Sequence, residues 1–499
     1  MLLAELNAHD MGFALLILAI CYPLCVSIYN VFFHPLRNYP GPKLNAVTRL
    51  PWIISLWKGE SAHYYRRLHE QYGEVVRVNS NELSYTNAAA WKDIYGHRTA
   101  GRESFEKDKT FLGSDLVGKN GITRTPGDAN HARVRRIFAH AFSDRALKEQ
   151  QTLLLEHVNQ LVTNIEKLID ADAKVGISDL YNFTTFDIIG DLTFGEHLGL
   201  LQNNNYTPWV SAIFDNARLM VFGQIIRMYP RLDKVLQYFI PQHLKEQRKK
   251  QVKYTVERVS KRLAKQTDRP DIWTYVLKHN SKDEEPLTLP EMHSTASTLM
   301  IAGSETTATL LSGLTYLLLK NPHTLERLCN EIRGAFKSTD EMDMNSLARL
   351  EYLNGCLEEA LRIYPPVSVG MPRLVPPRGG IVNGKMLPGG ATVSVNNLAA
   401  YHSPANFHRP DDFIPERWLP DASPRFAADE KAVLQPFSFG PRNCLGKNLA
   451  YHEMRLIMSN LLYRFDFEAL SPESENWMDQ RIYLFYEKSK LMVKMKRRV

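Results

Sequence analysis

Apolar residues recur at three- and four-residue spacing through four long stretches, Leu147–Ile169, Leu244–Gln266, Leu287–Lys320 and Pro322–Phe336, with polar residues between them. That spacing predicts amphipathic helices. Alternation of period two is confined to short runs such as Gly73–Asn79 and Ala391–Asn396, which predict small strands. A mainly α fold with small β-sheets follows. Met11–Phe33 breaks both patterns. It contains no charged residue and no histidine over about 23 residues, enough to cross a bilayer. It is too long for a signal h-region, and no small-residue cleavage site follows it. Acidic Glu5 and Asp10 precede it while Arg37 and Lys43 follow, so the positive-inside bias leaves the bulk of the chain in the cytosol. Tyr39-Pro-Gly-Pro42 then forms a stiff breaker between this span and the rest.

Composition changes this picture little. The chain has 499 residues and a net charge of +7, spread without a Lys/Arg tract interleaved with aromatics, which speaks against nucleic-acid binding. Lys245–Lys250, the densest basic run, reads as a solvated helix face. Five cysteines, two of them in the apolar span, give no disulfide framework and suit a reducing compartment. No linker or repeat divides the remainder. The expected organisation is therefore residues 1–34 as a membrane anchor, with its helix at about 11–33, and residues 35–499 as one domain.

The chemistry concentrates in Phe437-Ser-Phe-Gly-Pro-Arg-Asn-Cys444-Leu-Gly446. A thiolate binds metal, and it forms best beside cations and backbone N–H donors. Arg442 and Lys447 supply the cations, Gly440 and Gly446 permit positive φ and close approach, and a helix begins just after the cysteine. With no CxxC partner or zinc-spaced histidine, one axial thiolate suits haem iron.

This loop resembles the haem-binding loop of the cytochrome P-450 monooxygenases, and other segments extend the resemblance over nearly the whole chain. Glu359-Ala-Leu-Arg362 matches the family's Glu-x-x-Arg pair, which joins an arginine from a segment resembling Phe413–Trp418; the role is structural. Glu74-Val-Val-Arg77 fits the same short pattern and reads as a surface coincidence. Met300-Ile-Ala-Gly303-Ser-Glu305-Thr306-Thr307 resembles the oxygen-activating helix, where clustered Ser/Thr side chains can bend the backbone and Glu305 with Thr306 would deliver protons. His131 and Arg135, one helical turn apart, together with Arg373 and Arg442, would hold the haem propionates; Phe437 and Gly446 would flank the ring, and Cys444 would ligate the iron.

The resemblance implies a cytochrome P-450 fold, one large domain holding haem b behind a transmembrane helix. It implies O2 as co-substrate, electrons from NADPH through a flavoprotein cytochrome reductase, and a single-pass endoplasmic-reticulum protein facing the cytosol. A basic set of Arg135, Arg136, Arg442 and Lys447 would steer that acidic partner. The style of His131 with Arg135-Arg136, and of Thr184–Gly195, resembles fungal members that tailor secondary metabolites. A lipophilic substrate would meet Asn120–Ile122, Leu299–Ala302, Val367–Gly370 and the late loop near Leu484. A sterol, fatty-acid or xenobiotic hydroxylase differs only in pocket residues and stays open. A haem-thiolate isomerase or coupling enzyme also stays open, although the Glu305–Thr306 pair speaks against isomerisation. A haem carrier or sensor fits the length and the anchor poorly.

Overall fold

The computed structural model describes residues 8–98, 103–113, 121–207, 209–211, 217–229 and 241–498. The longer helices that frame the site are α1 (Ala8–Phe32), α2 (Asp128–Ala139), α3 (Asp144–Asp170), α4 (Ile177–Phe194), α5 (Gln242–Ala264), α6 (Leu289–Lys320), α7 (Pro322–Ala335), α8 (Glu351–Ile363) and α9 (Lys447–Arg464). Each of the four periodic stretches forms a helix within a few residues of its expected bounds. Local signals explain where they start. Ser143 caps α3 through the amide of Ala146, and Thr288 with Glu291 forms a reciprocal capping box at α6.

Every residue of α4 but Asp179 is buried, and α6 is buried along most of its length, so these two helices form the centre of the core. They approach closely at Gly303, where a Cβ would lie 2.8 Å from the Ile189 side chain. Gly303 is thus a helix-contact residue. α6 runs unbroken through it, while Ser304 and Thr306 donate back to the carbonyls of Met300 and Ala302, both at 2.6 Å.

The strands are β1 (Val75–Asn79), β2 (Glu82–Tyr85), β3 (Glu106–Lys107), β4 (Val175–Gly176), β5 (Arg373–Leu374), β6 (Gly380–Val382), β7 (Lys385–Leu387), β8 (Thr392–Val395), β9 (Phe465–Leu470) and β10 (Met492–Arg497). Five of them form a sheet in the order β1-β2-β8-β5-β3, in which β2 and β8 run parallel. This sheet brings residues 106–107 beside Arg373. A second sheet is ordered β4-β10-β9, and β6 and β7 form a hairpin. Its two-residue turn is Asn383-Gly384, both at positive φ, as a tight hairpin requires.

The network around Glu359 is fully buried. Arg362 donates to both carboxylate oxygens at 2.7 and 2.9 Å, Arg417 joins at 3.0 Å, and the Trp418 indole at 2.8 Å. Of the Glu74/Arg77 match only Glu74 is at the surface: Arg77 is buried in β1 and its guanidinium donates to the carbonyls of Asn30 and Ser80. It thereby ties the last turn of α1 to the sheet. Gly12–Phe32 of α1 is long and apolar enough to cross a membrane, and Asn30 is its one buried residue.

Candidate active site

The cysteine loop is closed by the Cys444 amide, which donates to the Phe437 carbonyl at 2.8 Å. Gly440 is indispensable to this turn. Its φ is +76°, and a Cβ there would fall 2.0 Å from the Tyr95 carbonyl oxygen. Gly446 differs from expectation: its φ is −87°, and the nearest atom to a Cβ would be 3.8 Å away on Phe142. Its smallness leaves space without a backbone need. Phe437 lies 5.1 Å from the Tyr451 ring, with the Lys447 ammonium over both.

Cys444 opens onto an internal space and its thiol is pushed up by enclosure, while the Gly446 backbone, Arg135 and Lys447 pull it down. The cations at the sulfur are therefore Arg135 and Lys447. Arg442, expected in that role, turns to the carbonyls of Thr125 and Gly127 and to Asp128. Arg135 is also a brace, since its guanidinium holds the Asn443 carbonyl and side-chain oxygen, both at 2.6 Å. These positions shrink the expected basic docking set. Arg135 and Arg442 point inward, Arg136 pairs with Asp283 at 2.9 Å, and Lys447 is the exposed cation left.

A second group of basic side chains gathers beside the loop. His131 is buried and held down to about 3, first by burial and then by Arg442, Lys107 and Arg135. Burial brings Arg373 down to about 10, and its guanidinium stands 5.3 Å over the Tyr95 ring with Nε unpartnered. Lys107, whose ammonium donates to the Thr123 carbonyl at 2.7 Å, is pushed down to about 7 by burial and by Arg373, Arg442, Arg124 and Arg135. The sequence reading missed Lys107, because only β3–β5 pairing brings it to Arg373. Such mutually repelling, partly unsatisfied cations call for anions. A lone sulfur with these cations fits a haem, which carries iron and two carboxylates.

On α6, Ala302 is exposed and Thr306 half-buried amid buried neighbours, which marks an open face. Glu305 does not lie on that face. Its Oε1 pairs with Lys488 and accepts from Thr309 at 3.3 Å, while Oε2 is buried without a partner. Behind Thr306, Thr307 bonds Glu453 of α9, a fully enclosed carboxyl that burial raises to about 8. Neither Lys488 nor Glu453 carried a local signal in the sequence. Of the expected substrate-facing residues, Asn120 lies outside the described residues. Ile122 is anchored to α6 by its amide on Thr295 Oγ1 at 3.2 Å. Ile301, Val367, Val369 and Leu484 are half-buried, and Ser368 bonds the Tyr486 hydroxyl at 2.7 Å, which fixes the late turn.

Residues 40–495 match the family model described as cytochrome P450. Similar proteins include the cytochrome P450 monooxygenase efuB of Hormonema carpetanum, 45% identical over 95% of this chain and 94% of that protein. The cytochrome P450 monooxygenase FUM2 of Gibberella moniliformis is 47% identical over 94% of this chain and 99% of its own. The cytochrome P450 monooxygenase astA of Talaromyces wortmannii is 44% identical over 96% of each.

Proposed function

Because this chain belongs to the cytochrome P450 family, we propose that it inserts one atom of O2 into a lipophilic small molecule as a tailoring step of fungal secondary metabolism. The balance is substrate C–H plus O2, NADPH and a proton, giving the alcohol, NADP+ and water. The observation that carries this reading is Cys444 in a closed loop beside Arg135 and Lys447, next to buried cations short of anions. Cys444 would hold haem b through its thiolate, and the haem would supply dioxygen activation, with electron density pushed from the sulfur.

The protein's own work is placement and proton supply. Arg373 and Lys107 provide positive charge for the propionates and His131 a neutral imidazole donor, with Arg442 and Arg135 bracing the loop and α2 around them. Phe437 and Gly446 leave room for a flat ring. Thr306, on the open face of α6, hydrogen-bonds oxygen and passes on protons that Glu305 supplies. Half-buried Ile301, Val367 and Val369 keep the substrate side apolar and dry. Electrons come from a membrane NADPH-dependent flavin reductase, and α1 holds the enzyme in the endoplasmic-reticulum membrane with residues 35–499 in the cytosol.

The test is turnover under heavy-isotope dioxygen in microsomes that contain the reductase. Lipophilic terpenoid, polyketide and alkaloid scaffolds are first screened by binding spectra. One heavy oxygen per product molecule is expected; product oxygen drawn from water would overturn the reading. In the same assay Thr306→Ala should keep haem and substrate binding while more NADPH ends in hydrogen peroxide. Unchanged coupling in that variant would remove Thr306 from the proton path.

A further inference from the structure

We propose that Lys488 is a positioning residue for proton delivery, tethering the Glu305 carboxylate through Oε1 so that Oε2 is the oxygen left to relay protons toward Thr306. The inference rests on the proton-delivery role of Glu305 and Thr306 proposed above. Glu305 directly precedes Thr306, yet its carboxylate faces a buried space with a side-chain exposure of 2%, and the Lys488 side chain reaches it with only 6% exposed. The ammonium is divided between Glu305 Oε1 and the Thr309 hydroxyl, the latter at 2.6 Å. Thr309 in turn donates to the same carboxylate oxygen, so Oε1 carries two donors and the buried Oε2 none.

A buried carboxylate stays charged when it is paired, and one oxygen without a partner can take a proton or a water. The arrangement therefore presets both the charge of Glu305 and the oxygen left to act. The other titratable groups facing it are the hydroxyls of Tyr206 and Tyr364, both pushed up by burial and, in smaller part, by the Glu305 charge. Neither can replace the cation. Lys488 sits two residues beyond the turn bridged by Ile482 and Tyr486, whose tip includes Leu484. That places the tether of the acid on the same segment that would feel substrate.

The experiment uses the full-length, haem-loaded protein in microsomes with its reductase and NADPH, without added substrate. Haem loading is matched by carbon-monoxide spectra. Lys488→Met should slow NADPH oxidation by about tenfold, at the low end of the effect of a general acid–base group, because the untethered carboxyl leaves its relay position, and should alter the solvent deuterium isotope effect. Lys488→Arg should restore most of both. The double variant with Glu305→Gln should be no slower than Glu305→Gln alone, because the two residues act as one unit. An activity-independent readout is the deuterium-sensitive infrared stretch of a protonated carboxyl. Lys488→Met should add a component at neutral pH to the wild-type spectrum, to which Glu453 already contributes, and the double variant should lose that added component. If Lys488→Met does not fold, Lys488→Gln removes the charge while keeping a donor for Thr309, with the same expectations. Wild-type rate, isotope effect and infrared spectrum in the neutral variant, with Glu305→Gln impaired, would overturn the role of Lys488 alone. A Glu305→Gln enzyme with wild-type rate and isotope effect would overturn the underlying reading.

Discussion

Gly440 shows at the residue scale why a short motif can be read without a structure. Its positive φ and the Tyr95 carbonyl at 2.0 Å from any Cβ are consequences of one tight turn. Gly440→Ala costs about 1–3 kcal/mol in backbone strain alone, and the clash adds to that. The expected outcome is protein with sharply reduced haem content, checked by the ratio of haem to protein absorbance; full loading would contradict it. Cys444, Glu359 and Arg362 were legible because part of each one's setting lies within a few residues, although Arg135, Arg417 and Trp418 join them from far along the chain. Lys107 and Lys488 were not, because chain segments far away give them their meaning. Lys107 supplies a pH test. An unfolded lysine titrates near 10.4, whereas in the fold Lys107 stands at about 7. Between those values the unfolded chain binds the extra proton. Stability of the haem-free protein should therefore rise with pH across that window, and the full cost should be felt below about 7. Lys107→Met should flatten this rise in urea unfolding at a series of pH values; an unchanged slope would refute the assignment.

At the scale of elements, period sufficed for the helices because each packs one continuous stripe. The apolar spacing of Leu147–Ile169 became α3, extended at its start by the Ser143 cap. The small sheets were less legible. β3 and β5 are two residues each, too short for any alternation, and they exist because β8 pairs with β5 and β2 from the far end of the chain. The sequence assigned no packing role to Gly303, whose reason is the approach of α4, which no local pattern reveals. The Glu359 network locks α8 to the segment holding Arg417. Arg417 is fully buried and joined to both Glu359 and Asp429. Arg417→Ala leaves those carboxylates underpaired and should destabilise by about 3–5 kcal/mol. Thermal unfolding of the purified variant checks this, and a near-wild-type midpoint would contradict it.

For the whole molecule, the long apolar N-terminal helix was visible in composition, but its border with the rest of the fold was not. Asn30 is buried and its carbonyl takes the Arg77 guanidinium at 2.9 Å, so the last turn of α1 belongs structurally to the folded body. Removing residues 1–27 should release the protein from membranes with its stability kept. Removing residues 1–34 strips Arg77 of that partner and should lower the melting temperature relative to the shorter deletion. Equal melting of the two would place the border at the proline breaker after all. The central claim is that Cys444 binds haem iron as a thiolate within this fold. Its most direct test is the carbon-monoxide difference spectrum of the reduced protein, taken beside Cys444→Ala. A thiolate-type Soret band in the parent that is lost in the variant is the predicted result. A folded, haem-containing parent without that band, or a variant that retains it, would contradict the account.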